Sequence, residues 1–142
     1  LTVACAESCT GGMLASRLTS ISGSSMYIKG SIVTYSNEAK MKFLDVDKEI
    51  LDTKGAVSPE VAKQMAEGVR KAVGSDIGVG ITGIAGPTGG TDKKPVGLVY
   101  IAVAGKDNTV VKENVFSGDR ARVRYRSTQQ ALEMIRQYIK NK

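Results

Sequence analysis

The chain has 142 residues, 42% of them hydrophobic, enough to fill the core of a single domain over residues 1–142. Its formal net charge of +6 is spread along the chain beside acids, without the interleaved aromatics of a nucleic-acid surface, so the expected partners are small anions and no nucleic acid. There is no histidine, which excludes Ser-His-Asp and Cys-His catalysis and most zinc sites within the chain.

Residues 1–7 (LTVACAE) read as a strand. Thr10 to Ser22 read as a helix, with Leu14, Leu18 and Ile21 on one face. GSIVTYS (30–36) is a second strand, and NEAKMKFLDV (37–46) a short helix with Asn37 as its cap. A further short helix covers Asp47–Thr53 and stops at Gly55. SPEVAKQMAEGVRKAVG (58–74) is the clearest helix, capped by Ser58, started by Pro59 and striped by Val61, Met65 and Val69 with Ala62 and Ala66. DIGVGITGIAG (76–86) is a near-continuously apolar third strand, as burial on both faces requires. VGLVYIAVAG (96–105) and NTVVKENVF (108–116) form a hairpin, and a long helix runs from Arg120 to Lys140. Strands separated by helices pair in parallel, and the hairpin adds an antiparallel strand. The expected architecture is a three-layer α/β/α sandwich with a mixed, about five-stranded sheet.

Cys5 and Cys9 are too few for a metal cage and read as free thiols of a reducing compartment. No run of about 18 apolar residues is present, so no membrane span is expected. No signal peptide is visible, and the expected location is cytoplasmic. Leu1 already lies in a strand-like run and is not Met, which implies that a native N-terminal segment is missing.

The chemistry concentrates where the first strand ends, in ACAESCTGGMLASRL (4–18). Sites in parallel α/β sheets form beyond the carboxyl ends of strands. Ser8 stands at such an end, and Gly11 and Gly12 open the helix behind it. Their amides, with the Thr10 hydroxyl, are suited to receive the oxyanion formed if Ser8 attacks a carbonyl. Ser8 or Thr10 reads equally as a plain helix cap. Cys9 is the rival nucleophile, and Glu7 is a base, an orienting group or a surface charge. A serine needs a proton acceptor, and without histidine the substitute is a lysine whose pKa is lowered. Lys40 follows the second strand at the same sheet edge, close to Tyr35, although a lysine there is most simply a surface charge.

TGIAGPTGGTDKKP (82–95) lies at that edge too, and its Gly83, Gly86, Gly89 and Gly90 either wrap a phosphate or form a surface loop. GVGITG (78–83) spells a dinucleotide fingerprint inside a strand with no helix after it, so it is rejected as one. In the last helix, Arg120 and Arg124 fall at 0° and about 40° on the wheel, beside Ala131, Ile135 and Ile139 at about 20° to 100°. Arg122 and Arg126 fall on the opposite, solvated face at about 200° and 240°. Inward-facing charges need a partner, either a phosphate or an acidic side chain.

Together, AESCTGG (6–12), YSNEAK (35–40), GAVS (55–58), TGIAGPTGG (82–90), KPVG (94–97) and FSGDR (116–120) resemble the CinA C-terminal domain family, over essentially the whole chain and in the same order. Its enzymatic members are nicotinamide-nucleotide amidases. The resemblance implies hydrolysis of nicotinamide mononucleotide to nicotinate mononucleotide and ammonia, in pyridine nucleotide salvage. It implies a serine–lysine pair on Ser8 and Lys40, with Tyr35 as a positioning or proton-transfer helper. It implies no metal or organic cofactor, a homo-oligomer, and in some members a fused N-terminal domain of nucleotide-pyrophosphatase type. The family fold is a three-layer α/β/α sandwich with a helix before the first strand, a helix this chain lacks. The glycine loop and Arg120 or Arg124 would then hold the nucleotide phosphate. The alternative is a nucleotide-binding module of the same fold without turnover.

Overall fold

The computed structural model describes residues 1–142. Five strands form one mixed sheet in the order β2-β1-β3-β4-β5: β1 (Val3–Glu7), β2 (Ile28–Val33), β3 (Ile77–Gly83), β4 (Leu98–Ala104) and β5 (Thr109–Val115). β1 pairs in parallel with β2 and β3, and β4 runs antiparallel to both β3 and β5. The helices are α1 (Met13–Thr19), α2 (Asn37–Leu44), α3 (Lys48–Lys54), α4 (Pro59–Val73) and α5 (Arg120–Lys140).

Alternation along the strands sorts the core into two faces. Val3 and Cys5 of β1, with Ile77, Val79 and Ile81 of β3, pack against Leu14 of α1 and Val123, Ala131 and Ile135 of α5. Ala4 and Ala6 face the other way, toward Leu44, Leu51, Val61, Met65 and Val69 of α2, α3 and α4. The result is the expected three-layer α/β/α sandwich. β1 and all but the last residue of β3 are buried because both of their faces are covered.

The element ends differ from expectation where local chemistry was misread. α1 starts at Met13 because Gly11 and Gly12 both take positive φ, at 59° and 102°. It ends at Thr19, leaving Ile21 exposed. β2 spans Ile28–Val33 and not 30–36, since the chain turns away at Thr34 to begin α2. The cap of α2 is Ser36 and not Asn37: the Ser36 hydroxyl accepts from the Ala39 amide at 3.0 Å. α2 closes at Leu44 because Asp45 adopts positive φ. β3 ends at Gly83, where the chain leaves the sheet into the loop before β4.

Gly78 and Gly80, the glycines of the rejected fingerprint, have a packing purpose. A Cβ on Gly78 would lie 2.1 Å from the Ala66 carbonyl oxygen, and one on Gly80 2.5 Å from that of Ala62. Bare backbone at these points lets α4 lie directly on β3. Gly68 does the same from the helix side, where a Cβ would meet the Leu44 carbonyl oxygen at 2.1 Å and push α2 off α4. Gly78→Ala is therefore expected to destabilise the fold by about 1–3 kcal/mol through overpacking. A urea midpoint unchanged from wild type would refute this close contact.

Candidate active site

β1 lies between two parallel neighbours, so its carboxyl end opens between those of β2 and β3. Both ladders continue slightly past the strand. The Ser8 amide donates to the Ile81 carbonyl at 3.1 Å, and the Thr34 amide donates to the Glu7 carbonyl at 2.9 Å. The alternation of β1 therefore still governs its last residues and sends Glu7 and Ser8 to opposite faces.

Glu7 turns toward α1 and is neither a surface charge nor a base within reach of Ser8. It is fully buried and accepts from the Thr10 hydroxyl at 2.6 Å, the Leu14 and Ala15 amides at 2.8 and 3.0 Å, and the Ser31 hydroxyl at 3.4 Å. Gly12, the cap residue of α1, has no side chain to offer. Glu7 supplies the missing acceptor from five residues upstream.

Ser8 turns toward α2. Lys40, in the first turn of α2, reaches back so that its Nζ lies 3.2 Å from Ser8 Oγ and 2.8 Å from the Thr34 carbonyl oxygen. Lys40 is 1% exposed. The only two salt bridges in the chain, Lys48–Asp52 and Arg136–Glu133, are on the surface, so no carboxylate neutralises it. Burial holds its pKa below the ordinary value of 10.5, opposed by the Cys9 charge. Thr34 supplies an acceptor for one N–H, which leaves the neutral amine's lone pair free to take the Ser8 proton.

Cys9 is buried beside Ser8, and burial pushes its thiol up to about 11. That suppresses the thiolate a cysteine nucleophile needs. Cys5 is likewise free and buried, and its thiol is pushed up to about 12.

Ser8, Cys9, Tyr35, Asn37, Lys40, Ala56, Val57, Thr82, Gly83, Ala85 and Arg120 line an open cleft of about 210 Å³. Lys40 and Arg120 are its only charged lining groups, so its field favours an anion. At the rim, Arg120 donates to the Gly86 carbonyl at 2.9 Å and to the Tyr35 hydroxyl at 3.3 Å. Tyr35 is exposed there and hydrogen bonds to Arg120, not to Ser8 or Lys40.

Several expected ligand groups have other duties. The Thr10 hydroxyl is committed to Glu7, and the Gly11 amide donates to the Ser8 carbonyl at 3.1 Å, so neither is free to meet an oxyanion. The Gly12 amide remains without an acceptor. Arg124 does face inward, but its partners are backbone: Nε donates to the Cys9 carbonyl and Nη2 to the Thr10 carbonyl, both at 3.0 Å. Neither a phosphate nor an acid is needed to satisfy it. Of the loop glycines only Gly83 lines the cleft. Gly86 and Gly90 are bare because Val96 packs on them, where a Cβ would come within 2.4 and 2.8 Å, and Gly89 is exposed with positive φ. Arg122 and Arg126 are solvated, as the wheel expects. The cleft also recruits Asn37, Ala56, Val57, Thr82 and Ala85, which sequence reasoning missed. All five lie within the quoted motifs, Asn37 in YSNEAK, Ala56 and Val57 in GAVS, and Thr82 and Ala85 in TGIAGPTGG, but none is singled out there.

The family model of the CinA C-terminal domain matches residues 1–139. The chain belongs to the CinA C-terminal domain family. It is 58% identical over 135 residues to the putative competence-damage inducible protein of Moorella thermoacetica, covering 95% of this chain and 33% of that protein. It is 53% identical over 139 residues to the CinA-like protein of Syntrophomonas wolfei, covering 98% of this chain and again 33% of the relative. The chain thus spans about a third of the length of the curated relatives it matches. Among solved structures it resembles the competence/damage inducible protein CihA of Agrobacterium tumefaciens, with a TM-score of 0.93 and 44% identity over 95% of this chain and 83% of that one. The CinA superfamily protein of Escherichia coli superposes with a TM-score of 0.93 at 36% identity, over 97% of this chain and 80% of that one. In this CinA C-terminal domain, no helix is long and apolar enough to cross a membrane.

The buried amine carries a linkage signature. The unfolded chain keeps the Lys40 proton up to the ordinary value of 10.5, while the folded chain releases it lower. Unfolding therefore takes up a proton in the window between those values, and raising pH within it stabilises the fold. Wild type should gain stability relative to Lys40→Met as pH rises toward 10.5. A pH-independent difference between their urea midpoints would show that Lys40 titrates as in the unfolded chain.

Proposed function

We propose that the domain is a serine–lysine amidase that hydrolyses nicotinamide mononucleotide to nicotinate mononucleotide and ammonia. The observation that carries the reading is the buried Lys40 amine, without a carboxylate partner, 3.2 Å from Ser8 Oγ in a cleft lined by no acid. Ser8 Oγ attacks the carboxamide carbon as its proton passes to Lys40 Nζ. The developing oxyanion meets unpaired amides of the turn after Ser8. Lys40 then returns the proton to the departing nitrogen, the C–N bond breaks, and ammonia leaves an acyl ester on Ser8. Water attacks that ester, giving its proton to Lys40, which protonates Ser8 Oγ as the acid departs. No cofactor enters any step.

Arg120 and Tyr35, paired at the rim, are placed to hold the phosphate of the substrate. Family membership supports a homo-oligomeric assembly. The one-third coverage of the relatives supports a fused domain, of the nucleotide-pyrophosphatase type the family implies, in the longer members.

The decisive assay is ammonia release from nicotinamide mononucleotide, with free nicotinamide as control. Ser8→Ala and Lys40→Ala should lose turnover by ~10³-fold or more while still binding the nucleotide. Lys40→Arg should not restore it, because arginine does not give up its proton. An active Ser8→Ala variant would transfer the role to Cys9. Binding without ammonia release by wild type would favour the non-catalytic module. kcat/KM should rise with pH through a Lys40 pKa below 10.5, and a rise only above that value would argue against Lys40 as base. Arg120→Ala should raise KM about 10-fold with little change in kcat, as loss of a ground-state contact does.

A further inference from the structure

We propose that Arg124 is a positioning residue that aims the Thr10 amide at the oxyanion formed on Ser8. The inference rests on the serine–lysine reading above and deepens it. Every backbone amide from Ser8 to Ser16 can be followed to its acceptor. Ser8 donates to Ile81, Gly11 to Ser8, Met13 to Thr10 and Ser16 to Gly12. Leu14 and Ala15 donate to Glu7. The amides of Cys9, Thr10 and Gly12 are left without one. Thr10 is fully buried, and an unpaired buried amide is rare and costly. Such an orphan two residues from a nucleophile is where an oxyanion donor would stand.

Arg124 decides which way that amide points. A trans peptide holds its N–H antiparallel to its C=O. The Cys9 carbonyl, gripped by Arg124 Nε at 3.0 Å, shares a plane with the Thr10 N–H and so turns that N–H away from α5. The next peptide provides an internal check. Its Thr10 carbonyl is gripped by Nη2 at 3.0 Å, and its Gly11 N–H points the opposite way and lands on the Ser8 carbonyl. The side opposite Arg124 is therefore that of the Ser8 main chain. Gly11 makes room for the grip, since a Cβ there would sit 3.3 Å from Nη2. The fork contacts need the planar guanidinium, which an ammonium cannot reproduce.

The test measures two rates on Arg124→Ala, Arg124→Gln and Arg124→Lys. One is ammonia release from nicotinamide mononucleotide. The other is covalent capture of Ser8 by a fluorophosphonate, in which Ser8 Oγ bonds to phosphorus, fluoride leaves and Lys40 takes the proton. Capture loads the same oxyanion donors without requiring any particular substrate. Both rates should fall about 10- to 100-fold, less than the ~10²–10³ lost with a whole donor, while KM and the pH profile stay put. Millimolar guanidinium should restore part of the Arg124→Ala loss, and Arg124→Lys should not match wild type. If Arg124→Ala does not fold, Arg124→Lys and Arg124→Gln carry the test, each corrected for its folded fraction by thermal unfolding. Wild-type capture rates in the folded variants would overturn the proposal. So would a raised KM with kcat intact, the mark of a phosphate ligand. If wild type is captured but releases no ammonia, the substrate reading falls and Arg124 is judged on capture alone. If wild type is not captured at all, both ideas fall together.

Discussion

The turn after β1 depends on one buried carboxylate. Glu7 is sealed from water, a position that is costly for an anion unless its oxygens are filled with donors. Two α1 amides, the Thr10 hydroxyl and the Ser31 hydroxyl fill them. These bonds tie the start of α1, the end of β1 and the edge strand β2 to one point. Because Glu7 faces α1, strand alternation forces Ser8 to face α2. The polar stretch that ends β1 therefore has two jobs on two faces. Glutamate holds the turn, and serine is presented to the cleft.

On the other face the chain buries a lysine with no acid near it. A paired ammonium would be more comfortable there, but it would stay protonated and could not take a proton from a neighbour. Desolvation without a carboxylate partner lowers the pKa while the Thr34 carbonyl keeps the side chain in place. The lone cation that remains exposed in the cleft, Arg120, lies at its rim. One cationic residue is thus suited to proton transfer and the other to holding an anion, and burial is what separates them.

Glycine and arginine were the residues whose purposes the sequence disguised. Gly86 and Gly90 sit in a loop that reads as a phosphate cradle or a surface loop, and Gly78 and Gly80 in a strand that only spells a fingerprint, yet each is bare because another piece of this chain lies against it. Arg124 falls on the inward face of α5 as periodicity requires, but its partners are two carbonyls more than a hundred positions away in sequence. A glycine records only that something comes close, and an inward arginine only that something accepts its hydrogen bonds.

Periodicity, caps and breakers were enough to read the three layers, the parallel strands and hairpin, and the limits of α4 and α5, because these follow from local spacing and from which face must be dry. The same local rules brought Ser8 and the start of α2 to one sheet edge. They could not say that Lys40 folds inward and not out, that Glu7 caps α1 across a turn, or that Thr10 and Gly11 are already committed. Those outcomes depend on donors and acceptors that chain folding brings together from β1, β2, α2 and α5. Whether a polar group is spent or free is a property of its neighbours in space, and only the assembled structure supplies them.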